Sequence, residues 1–328
     1  MNILIVQNTF SSCGFYDSNH TRKIQRQGAG LHVCVVDPTR KDFDALVSKM
    51  HIIVSGRREY ETFVDIRNAK NLQWVHIASA GIENIARVLR PTNILLTNSS
   101  GASANSIVEH VFTYMLMFAR RIHIYYRAQI IDKKWLHHTQ SNEPFELGKK
   151  TIGIGGFGRI GRRIAKRAKQ FAMHVVALEH NQKIKASFVD RVVPSGELNA
   201  LLEQSDFVVD CLPLTPKTQR FFSRQQFIRM KKSAFFINVG RGKTVAQDDL
   251  VRVLREERLA GAGLDVFEEE PLPQSSQLWH MPSVIMTPHY AGRSPHYIDR
   301  VVDNFCINLS ANVRNGHKPN VVNKNLGY

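Results

Sequence analysis

Short apolar runs alternate with longer amphipathic stretches along the first hundred residues. The runs occupy residues 3–6, 32–36, 52–54, 74–78 and 94–96. Each run is too short for a helix and is typical of a buried strand, whereas a stretch such as 40–50 repeats its apolar positions with helical spacing. Strands that alternate with helices favour a parallel sheet with helices on both faces. The pattern therefore predicts an α/β domain in this part of the chain.

A second alternation begins near residue 150. It predicts strands at 151–155, 174–178, 207–211, 234–238, 261–265 and 283–287, and helices at 159–171, 224–231 and 247–256. Before it, the capped apolar stretch 98–127 predicts one long helix, and a final helix is expected over 294–315. If that last helix returns to the first domain, the chain forms two α/β domains with a cleft between them, one from 1–98 and 291–328 and the other from 99–290.

The composition is that of an ordinary globular protein. Of 328 residues, 43% are hydrophobic and 22% are charged. The four cysteines form no CxxC pair, which argues against a zinc site or a disulfide framework, so no metal site is expected. No signal-peptide pattern opens the sequence, and no window approaches the roughly 18 apolar residues of a membrane-spanning helix. We therefore expect a cytoplasmic protein without a membrane anchor.

The net charge of +16 is high for a protein of this composition. Such a charge is one mark of a nucleic-acid-binding protein. Here the basic residues are spread along helical stretches such as 159–169 and are not interleaved with aromatic residues. We therefore do not expect a nucleic-acid partner, and the charge instead favours the attraction of an anionic cofactor and substrate.

A glycine motif lies between a predicted strand and a predicted helix. The strand 151–155 runs directly into Gly156, Gly158 and Gly161, which fit the GxGxxG pattern. The first glycine permits a tight turn, the second lets the backbone approach a pyrophosphate, and the third lets helix and strand pack closely. The helix N-terminus then offers N–H groups to the phosphates. The motif predicts a dinucleotide site; a glycine-rich turn in an α/β protein without a cofactor is the other interpretation.

An acidic residue follows the next predicted strand. Glu179 lies 18 residues after Gly161, where a carboxylate is expected to bind the adenosine ribose hydroxyls. Because a carboxylate there repels the additional phosphate of NADP, the sequence favours NAD over NADP. The basic residues His180, Lys183 and Lys185 follow at once and would weaken that preference.

Polar residues follow three of the later predicted strands. Arg241, Asp265 and His289 each come at or just after the end of a strand, and Glu270 comes five residues after Asp265. In an open α/β sheet, ligands bind outside the carboxyl ends of the strands, so these side chains are expected to face one crevice.

With these motifs in this order, the chain resembles the D-isomer-specific 2-hydroxyacid dehydrogenase family, which includes glyoxylate/hydroxypyruvate reductases, D-lactate dehydrogenases and phosphoglycerate dehydrogenases. The resemblance covers nearly the whole chain. It is carried by the glycine motif 156–161, Leu-Pro-Leu-Thr-Pro at 212–216, Asn-Val-Gly-Arg-Gly at 238–242, Asp-Val-Phe at 265–267 with Glu-Pro at 270–271, and Thr-Pro-His at 287–289. It implies a Rossmann NAD-binding domain and a flavodoxin-like substrate domain.

The resemblance also implies a catalytic triad of Arg241, Glu270 and His289. Arg241 would hold the substrate carboxylate and polarise the carbonyl with its planar donor fork. His289 would give the proton to the carbonyl oxygen, and Glu270 would favour the charged imidazole and orient it. Each residue also has a structural interpretation: an ion pair with a surface carboxylate for Arg241, a solvated acidic run 268–270 for Glu270, and a structural histidine for His289.

Further positions follow from the same resemblance. Ala80 and Gly81 would bind the substrate carboxylate together with Arg241, and the loop of Pro213 and Thr215 would cover the cofactor. The implied cofactor-binding residues are Gly156, Phe157, Gly158, Arg159, Ile160, Gly161, Glu179, Pro213, Thr218 and Asp265, the last at the nicotinamide amide.

The implied activity is NAD-dependent hydride transfer between a small D-2-hydroxy acid and its 2-keto acid, such as glyoxylate or hydroxypyruvate. The alternative is an NAD(H)-sensing protein of the co-repressor type without significant turnover. A homodimer is expected, formed through the 100–127 helix.

Overall fold

The computed structural model describes residues 1–7, 15–137, 143–179, 186–313 and 319–327. The chain forms two compact units. Unit 1 comprises Met1–Ser103 and Arg293–Tyr328, and unit 2 comprises Ala104–Gly292. Each unit contains one sheet, in which all strand pairs are parallel.

The sheet of unit 1 has five strands among the described residues, in the order β2-β1-β3-β4-β5. The strands are β1 (Asn2–Val6), β2 (His32–Val36), β3 (Ile52–Ser55), β4 (Trp74–Ile77) and β5 (Leu95–Asn98). The helices of this unit are α1 (Ser18–Gln25), α2 (Phe43–Val47), α3 (Arg57–Phe63), α4 (Glu83–Leu89) and α11 (Tyr297–Val313). This strand order is that of flavodoxin-like domains, as the resemblance implied.

Successive residues of the unit 1 strands point to opposite faces of the sheet. Leu4 and Val6 pack into a core with the buried residues of α2, α3 and α4. Ile3 and Ile5 pack into a second core with those of α1 and α11. Because a parallel sheet carries helices on both faces, its strands are apolar at nearly every position. This explains why unbroken apolar runs marked these strands in the sequence.

The sheet of unit 2 has seven strands within the described ranges, in the order β12-β11-β10-β9-β6-β7-β8. The strands are β6 (Thr151–Gly155), β7 (His174–Leu178), β8 (Arg191–Val193), β9 (Phe207–Asp210), β10 (Phe235–Asn238), β11 (Gly261–Leu264) and β12 (Val284–Met286). The helices are α5 (Ala104–Ala119), α6 (Ile122–Arg127), α7 (Arg159–Gln170), α8 (Leu198–Gln204), α9 (Arg224–Phe227) and α10 (Gln247–Arg255). From β6 the chain builds outward in one direction and then in the other, as in Rossmann folds.

The prediction of one continuous helix over 98–127 is wrong. The chain forms α5 and α6, which are separated at Arg121, whose φ of 57° is left-handed. No glycine or proline marks this position in the sequence, so local signals did not indicate the break. The break is stabilised by tertiary contacts, because the Arg121 side chain donates to the carbonyl of Glu143.

Among the described helices, none is both long enough and apolar enough to cross a bilayer. Cys34, Cys211 and Cys306 are free thiols, and Cys13 lies outside the described residues. The described part of the chain also contains no group of three or more His, Cys, Asp or Glu side chains placed to hold a metal ion.

Candidate active site

The glycine motif forms a tight turn between β6 and α7. Gly156 has a φ of +94°, and a Cβ at this position would lie 3.1 Å from the carbonyl oxygen of Cys211 on the neighbouring strand end. A Cβ at Gly161 would lie 2.1 Å from the carbonyl oxygen of Gly156. Both positions therefore require glycine, one for its backbone conformation and the other for the close packing of α7 on the turn.

Gly158 differs from these two because it faces open space. It precedes the first residue of α7, and a Cβ there would meet no described atom within 4 Å. The N–H groups of the first turn of α7 have no partner within the helix, and the helix dipole adds positive potential at this end. The turn follows the carboxyl end of β6, beside the neighbouring strand β9. The strand order reverses at this point, and such sheets bind ligands there. These residues therefore fit the pyrophosphate of a dinucleotide.

The other predicted cofactor positions lie around this turn. Phe157 is buried, with the Arg162 guanidinium 4.7 Å from its ring centroid, so it can offer only its backbone to a ligand. Arg159 is exposed at the start of α7, and Ile160 packs partly against the core. Glu179 follows β7 at the same edge of the sheet and is partly exposed. His180, Lys183 and Lys185 lie outside the described residues.

The loop after β9 is closed by its own side chains. The Thr218 hydroxyl donates to the carbonyl of Pro213 at 2.6 Å and accepts the N–H of Thr215 at 2.8 Å. These bonds hold the segment 213–218 in one compact turn. The Cys211 thiol, two residues before it, lies 3.2 Å from the carbonyl oxygen of Gly155 and 3.0 Å from that of Gly156, which places the segment beside the glycine motif.

Arg241, Asp265 and His289 follow three adjacent strands, β10, β11 and β12. Because parallel strands end at the same edge of a sheet, their carboxyl ends place the three residues side by side. Within unit 2, the structure thus brings together the polar side chains that were predicted to follow these strands.

Glu270 and His289 form a direct hydrogen bond. Glu270 Oε2 lies 2.8 Å from His289 Nδ1, and Glu270 Oε1 accepts the N–H of Phe267 at 3.0 Å. Partial burial raises the pKa of Glu270. The hydrogen bonds from His289 and Phe267, with the charges of His289 and Arg241, outweigh that effect and hold the pKa below its usual value. The carboxylate is therefore ionised beside the imidazole at neutral pH.

Arg241 completes the group at the end of β10. Its positive charge acts on Glu270, and its Nη1 donates to the carbonyl of Gly240 at 2.8 Å. Its own carbonyl accepts hydrogen bonds from Asn238 Nδ2 at 3.1 Å and from the N–H of Thr244 at 3.2 Å. The backbone of the turn is thereby fixed from both sides.

Asp265 holds the turn that carries His289. Its carboxylate, 3% exposed, accepts the N–H groups of Tyr290 at 2.7 Å and Ala291 at 3.0 Å. His289 has a left-handed φ of 53°, a conformation that costs a non-glycine residue about 1–2 kcal/mol. Its N–H donates to the carbonyl of Asp265 at 2.8 Å. The buried carboxylate therefore stabilises a strained turn that exposes the imidazole; its contact with a nicotinamide amide stays a prediction.

Sequence reasoning missed the side chains behind Asp265. The Thr287 hydroxyl donates to Asp265 at 2.5 Å, and it also contacts Tyr114 Oη at 2.6 Å and His110 Nε2 at 2.9 Å. Burial lowers the pKa of His110, and the charge of Asp265 opposes that effect. His110 and Tyr114 lie on α5, more than 170 residues away in sequence, and the only local signal was a pair of polar residues one helical turn apart in an apolar helix.

Ala80 and Gly81 lie in unit 1, in the turn after β4. The Ser79 hydroxyl donates to the carbonyl of Gly81 at 3.2 Å, and Asn98 Nδ2 donates to the carbonyl of Ala80 at 3.4 Å. The two carbonyls are thus bound within the unit. The substrate contact of Ala80 and Gly81 stays a prediction.

Comparison with known protein families gives one match that covers over half of the chain. The sequence model described as "D-isomer specific 2-hydroxyacid dehydrogenase, NAD binding domain" matches residues 112–291. Among curated proteins, the glyoxylate reductase of Korarchaeum cryptofilum is 33% identical over 291 residues, covering 87% of this chain and 84% of that protein.

Several solved structures resemble the whole chain. A D-isomer specific 2-hydroxyacid dehydrogenase family protein from Aeromonas salmonicida has a TM-score of 0.84 at 27% identity, and the match covers 98% of this chain and 99% of the other. An NADPH-dependent glyoxylate/hydroxypyruvate reductase from Sinorhizobium meliloti, solved with NADP and sulfate, has a TM-score of 0.80 at 24% identity, and the match covers 100% of both chains.

Proposed function

This chain belongs to the D-isomer specific 2-hydroxyacid dehydrogenase family and is an oxidoreductase; from that premise we propose that it reduces glyoxylate, hydroxypyruvate or a similarly small 2-keto acid with NADH. The observation that carries the proposal is the contact of 2.8 Å between Glu270 and His289, with Arg241 beside it, at the edge of the sheet that carries the glycine turn. The glyoxylate reductase from Korarchaeum cryptofilum supports the choice of a small keto acid. The comparisons give no support to a sensor of the co-repressor type.

Each side chain of the triad has one task in this proposal. The Arg241 guanidinium binds the substrate carboxylate and polarises the neighbouring carbonyl. His289 Nδ1 is bound to Glu270, so Nε2 holds the proton that passes to the carbonyl oxygen as negative charge develops there. Glu270, ionised, stabilises the protonated imidazole before the transfer and keeps the ring in place. The bound nicotinamide supplies the hydride.

The preference for NADH rests on Glu179. A carboxylate at the end of β7 accepts hydrogen bonds from ribose hydroxyls and repels a phosphate on the same ribose. The relative from Sinorhizobium meliloti was solved with NADP, so fold alone does not decide the cofactor. The charge at position 179 supports NADH here.

We also propose that the protein is a homodimer. From α6 onward, large apolar side chains are exposed: Ile122, Tyr126, Ile130, Ile131 and Trp135, with Trp135 89% accessible. So many exposed large apolar side chains in one short segment of the chain favour a protein interface there. Its position next to α5 fits an interface centred on this helical segment.

A keto-acid panel tests the proposed function. Oxidation of NADH and of NADPH is followed with glyoxylate, hydroxypyruvate, pyruvate and phosphohydroxypyruvate. We expect turnover with at least one of the smaller acids and a higher kcat/KM with NADH. Tight NADH binding without turnover on any acid would instead support the sensor and contradict the proposal.

A further inference from the structure

A carboxyl group that the reaction above does not use is fully buried beside the active site. Asp210 is the last residue of β9 and is 0% exposed. It lies immediately before the closed loop 213–218, and β9 is the neighbour of both β6 and β10. A carboxyl in this position costs free energy unless its oxygens are bound or protonated.

Both oxygens of this carboxyl have partners. Oδ1 accepts the N–H of Leu212 at 2.9 Å, and Oδ2 lies 2.5 Å from the hydroxyl of Thr244. Thr244 is also 0% exposed and lies three residues after Arg241. The carboxyl therefore connects Leu212, just before the closed loop 213–218, with the turn that carries Arg241.

The Thr244 hydroxyl has a second close neighbour. Its oxygen lies 2.5 Å from the carbonyl oxygen of Arg241 as well as 2.5 Å from Asp210 Oδ2. A hydroxyl carries one hydrogen and can donate to only one of two acceptors at a time. Both contacts can be full hydrogen bonds at the same time only if Asp210 carries a proton: the acid then donates to Thr244, and Thr244 donates to Arg241. With Asp210 ionised, the two oxygens share the one hydroxyl hydrogen.

The electrostatic environment agrees with a protonated acid near neutral pH. Burial raises the pKa of Asp210 to about 7, against the hydrogen bonds from Thr244 and Leu212 and the positive charge of Arg241. The titratable groups that act on this carboxyl are Arg241, from the turn after β10, and its own neighbour Cys211. Burial raises the pKa of Cys211, so this thiol stays uncharged and does not compete.

We propose that Asp210 is a positioning residue that acts on Arg241 through the Thr244 hydroxyl, and that its protonated form holds the arginine turn in the arrangement that binds a carboxylate substrate. The inference rests on the proposed function, because Arg241 is taken as the residue that binds the substrate. When Asp210 loses its proton, the Thr244 hydroxyl turns to the carboxylate, and the Arg241 carbonyl keeps only the longer hydrogen bonds from Asn238 Nδ2 and the Thr244 N–H. The new negative charge also competes with the substrate carboxylate for the guanidinium.

The consequence is a pH dependence of substrate binding that is separate from proton transfer at His289. Loss of one hydrogen bond at the turn weakens substrate binding by about three- to tenfold. We therefore expect KM for the keto acid to rise by that factor between about pH 6 and 8.5, while the dissociation constant for NADH stays within about twofold.

Three variants of the full-length protein test the inference. Asp210→Asn keeps an N–H donor towards Thr244 at every pH, so KM should stay low and lose the rise above neutral pH. Thr244→Val removes the hydroxyl while keeping the shape of the side chain, so KM should be raised at every pH. Thr244→Ser restores the hydroxyl and should restore the wild-type profile. An Asp210→Asn variant with the wild-type rise in KM, or a Thr244→Val variant with the wild-type KM, would overturn the proposal.

Two further readouts separate this inference from the proposed function. The first is binding of oxamate, a 2-carbonyl carboxylate that accepts no hydride, to the NADH-loaded protein; it should follow the same pH pattern as KM. The second is the difference in Tm between wild type and Asp210→Asn. In the folded protein the pKa of Asp210 is raised above its unfolded value of about 4. The wild type therefore loses stability relative to Asp210→Asn as pH rises from about 4 to 7. Above pH 7 the difference in Tm stays constant.

The outcomes are distinguishable. If the wild type turns over no keto acid but oxamate binding and Tm follow these patterns, the proposed substrate fails and the role of Asp210 stands. If turnover is normal but the Tm difference is constant from about pH 4 to 8, Asp210 is not protonated in the folded protein and the inference fails.

Discussion

The carboxylate of Glu270 fixes one nitrogen of the His289 ring and leaves the other to face a substrate. Its neighbour in sequence, Glu269, is exposed and takes no part in this contact. The difference comes from Phe267, which precedes the acidic run and donates its N–H to Glu270 Oε1, so that this carboxylate is held towards His289. At the scale of single residues, position along the turn therefore decides which of three glutamates can act.

Replacing Glu270 by Gln should lower the rate of keto-acid reduction. The amide can still accept the Nδ1–H hydrogen, so ring orientation is kept, but it carries no charge to favour the imidazolium. The imidazolium that donates the proton thereby loses its charged partner, and we expect kcat/KM at neutral pH to fall about tenfold or more while NADH affinity is unchanged.

The control for this variant is Glu269→Gln, which changes net charge equally. Steady-state rates from about pH 5 to 9 are the measurement. A profile of Glu270→Gln that coincides with that of Glu269→Gln would remove Glu270 from the acid–base group.

Residue-level prediction from the sequence had a clear limit. The motif spacing singled out Glu270, because five residues separate it from Asp265 along one turn. The contacts of His110 and Tyr114 with Thr287 did not follow from any spacing, since they join α5 to the end of β12 across more than 170 residues. Contacts between side chains this far apart in the sequence depend on how a helix packs on a sheet.

At the scale of elements, most strands of unit 2 were predictable, but β8 and the short helix α8 were not. The runs at 151–155 and 174–178 coincide with β6 and β7. Strand β8 contains only two consecutive apolar residues, Val192 and Val193, and helix α8 has only seven residues, so neither formed a pattern that predicted it. The leucines of α8 are nevertheless buried, so tertiary packing stabilises what local pattern did not indicate.

Replacing Gly158 in the glycine turn should change NADH affinity without changing the stability of the fold. A methyl group at Gly158 meets no described atom, so Gly158→Ala should fold with a Tm close to wild type. The same methyl group would block the approach of a pyrophosphate, and we expect NADH affinity to fall at least about tenfold. Fluorescence titration with NADH measures the loss.

Gly148→Ala serves as the matched control, since a Cβ there would make an ordinary contact of 3.7 Å with the Phe171 carbonyl oxygen and the residue precedes β6, at the other end of that strand from the turn. Unchanged NADH binding in Gly158→Ala would place the pyrophosphate elsewhere.

The end of β7 gives a prediction about cofactor choice. Glu179→Ala should weaken NADH binding by about tenfold, because hydrogen bonds from the ribose hydroxyls to a charged acceptor are lost. NADPH binding should change little or improve, because a repulsive charge is removed. The measurement is the pair of dissociation constants, and an equal loss for both cofactors would contradict the ribose assignment.

At the scale of the whole molecule, the exposed apolar segment after α5 is tested by the oligomeric state. Ile131→Asp should yield monomers in light scattering at micromolar concentration, because a charge is placed in a proposed apolar interface. Ile307→Asp on α11, where the side chain is similarly exposed, is the control and should leave the dimer intact. A wild-type chain that is already monomeric would contradict the interface.

The order of the strands was the part of the architecture that alternation alone did not determine. Apolar runs establish that strands exist and that helices cover both faces, but neighbours in the sheet depend on the direction in which each crossover moves. The order β2-β1-β3-β4-β5 in unit 1 and the reversal at β6 in unit 2 agree with the family resemblance carried by the motifs.

The central claim is that His289, supported by Glu270 and beside Arg241, donates the proton in NADH-dependent reduction of a small 2-keto acid. The most direct test is NADH oxidation with glyoxylate and hydroxypyruvate by the wild type and by His289→Ala, with NADH binding measured on both. We expect turnover by the wild type and a loss of about 100- to 10,000-fold in kcat for the variant, with NADH affinity unchanged. Turnover at the wild-type rate in His289→Ala would contradict the account.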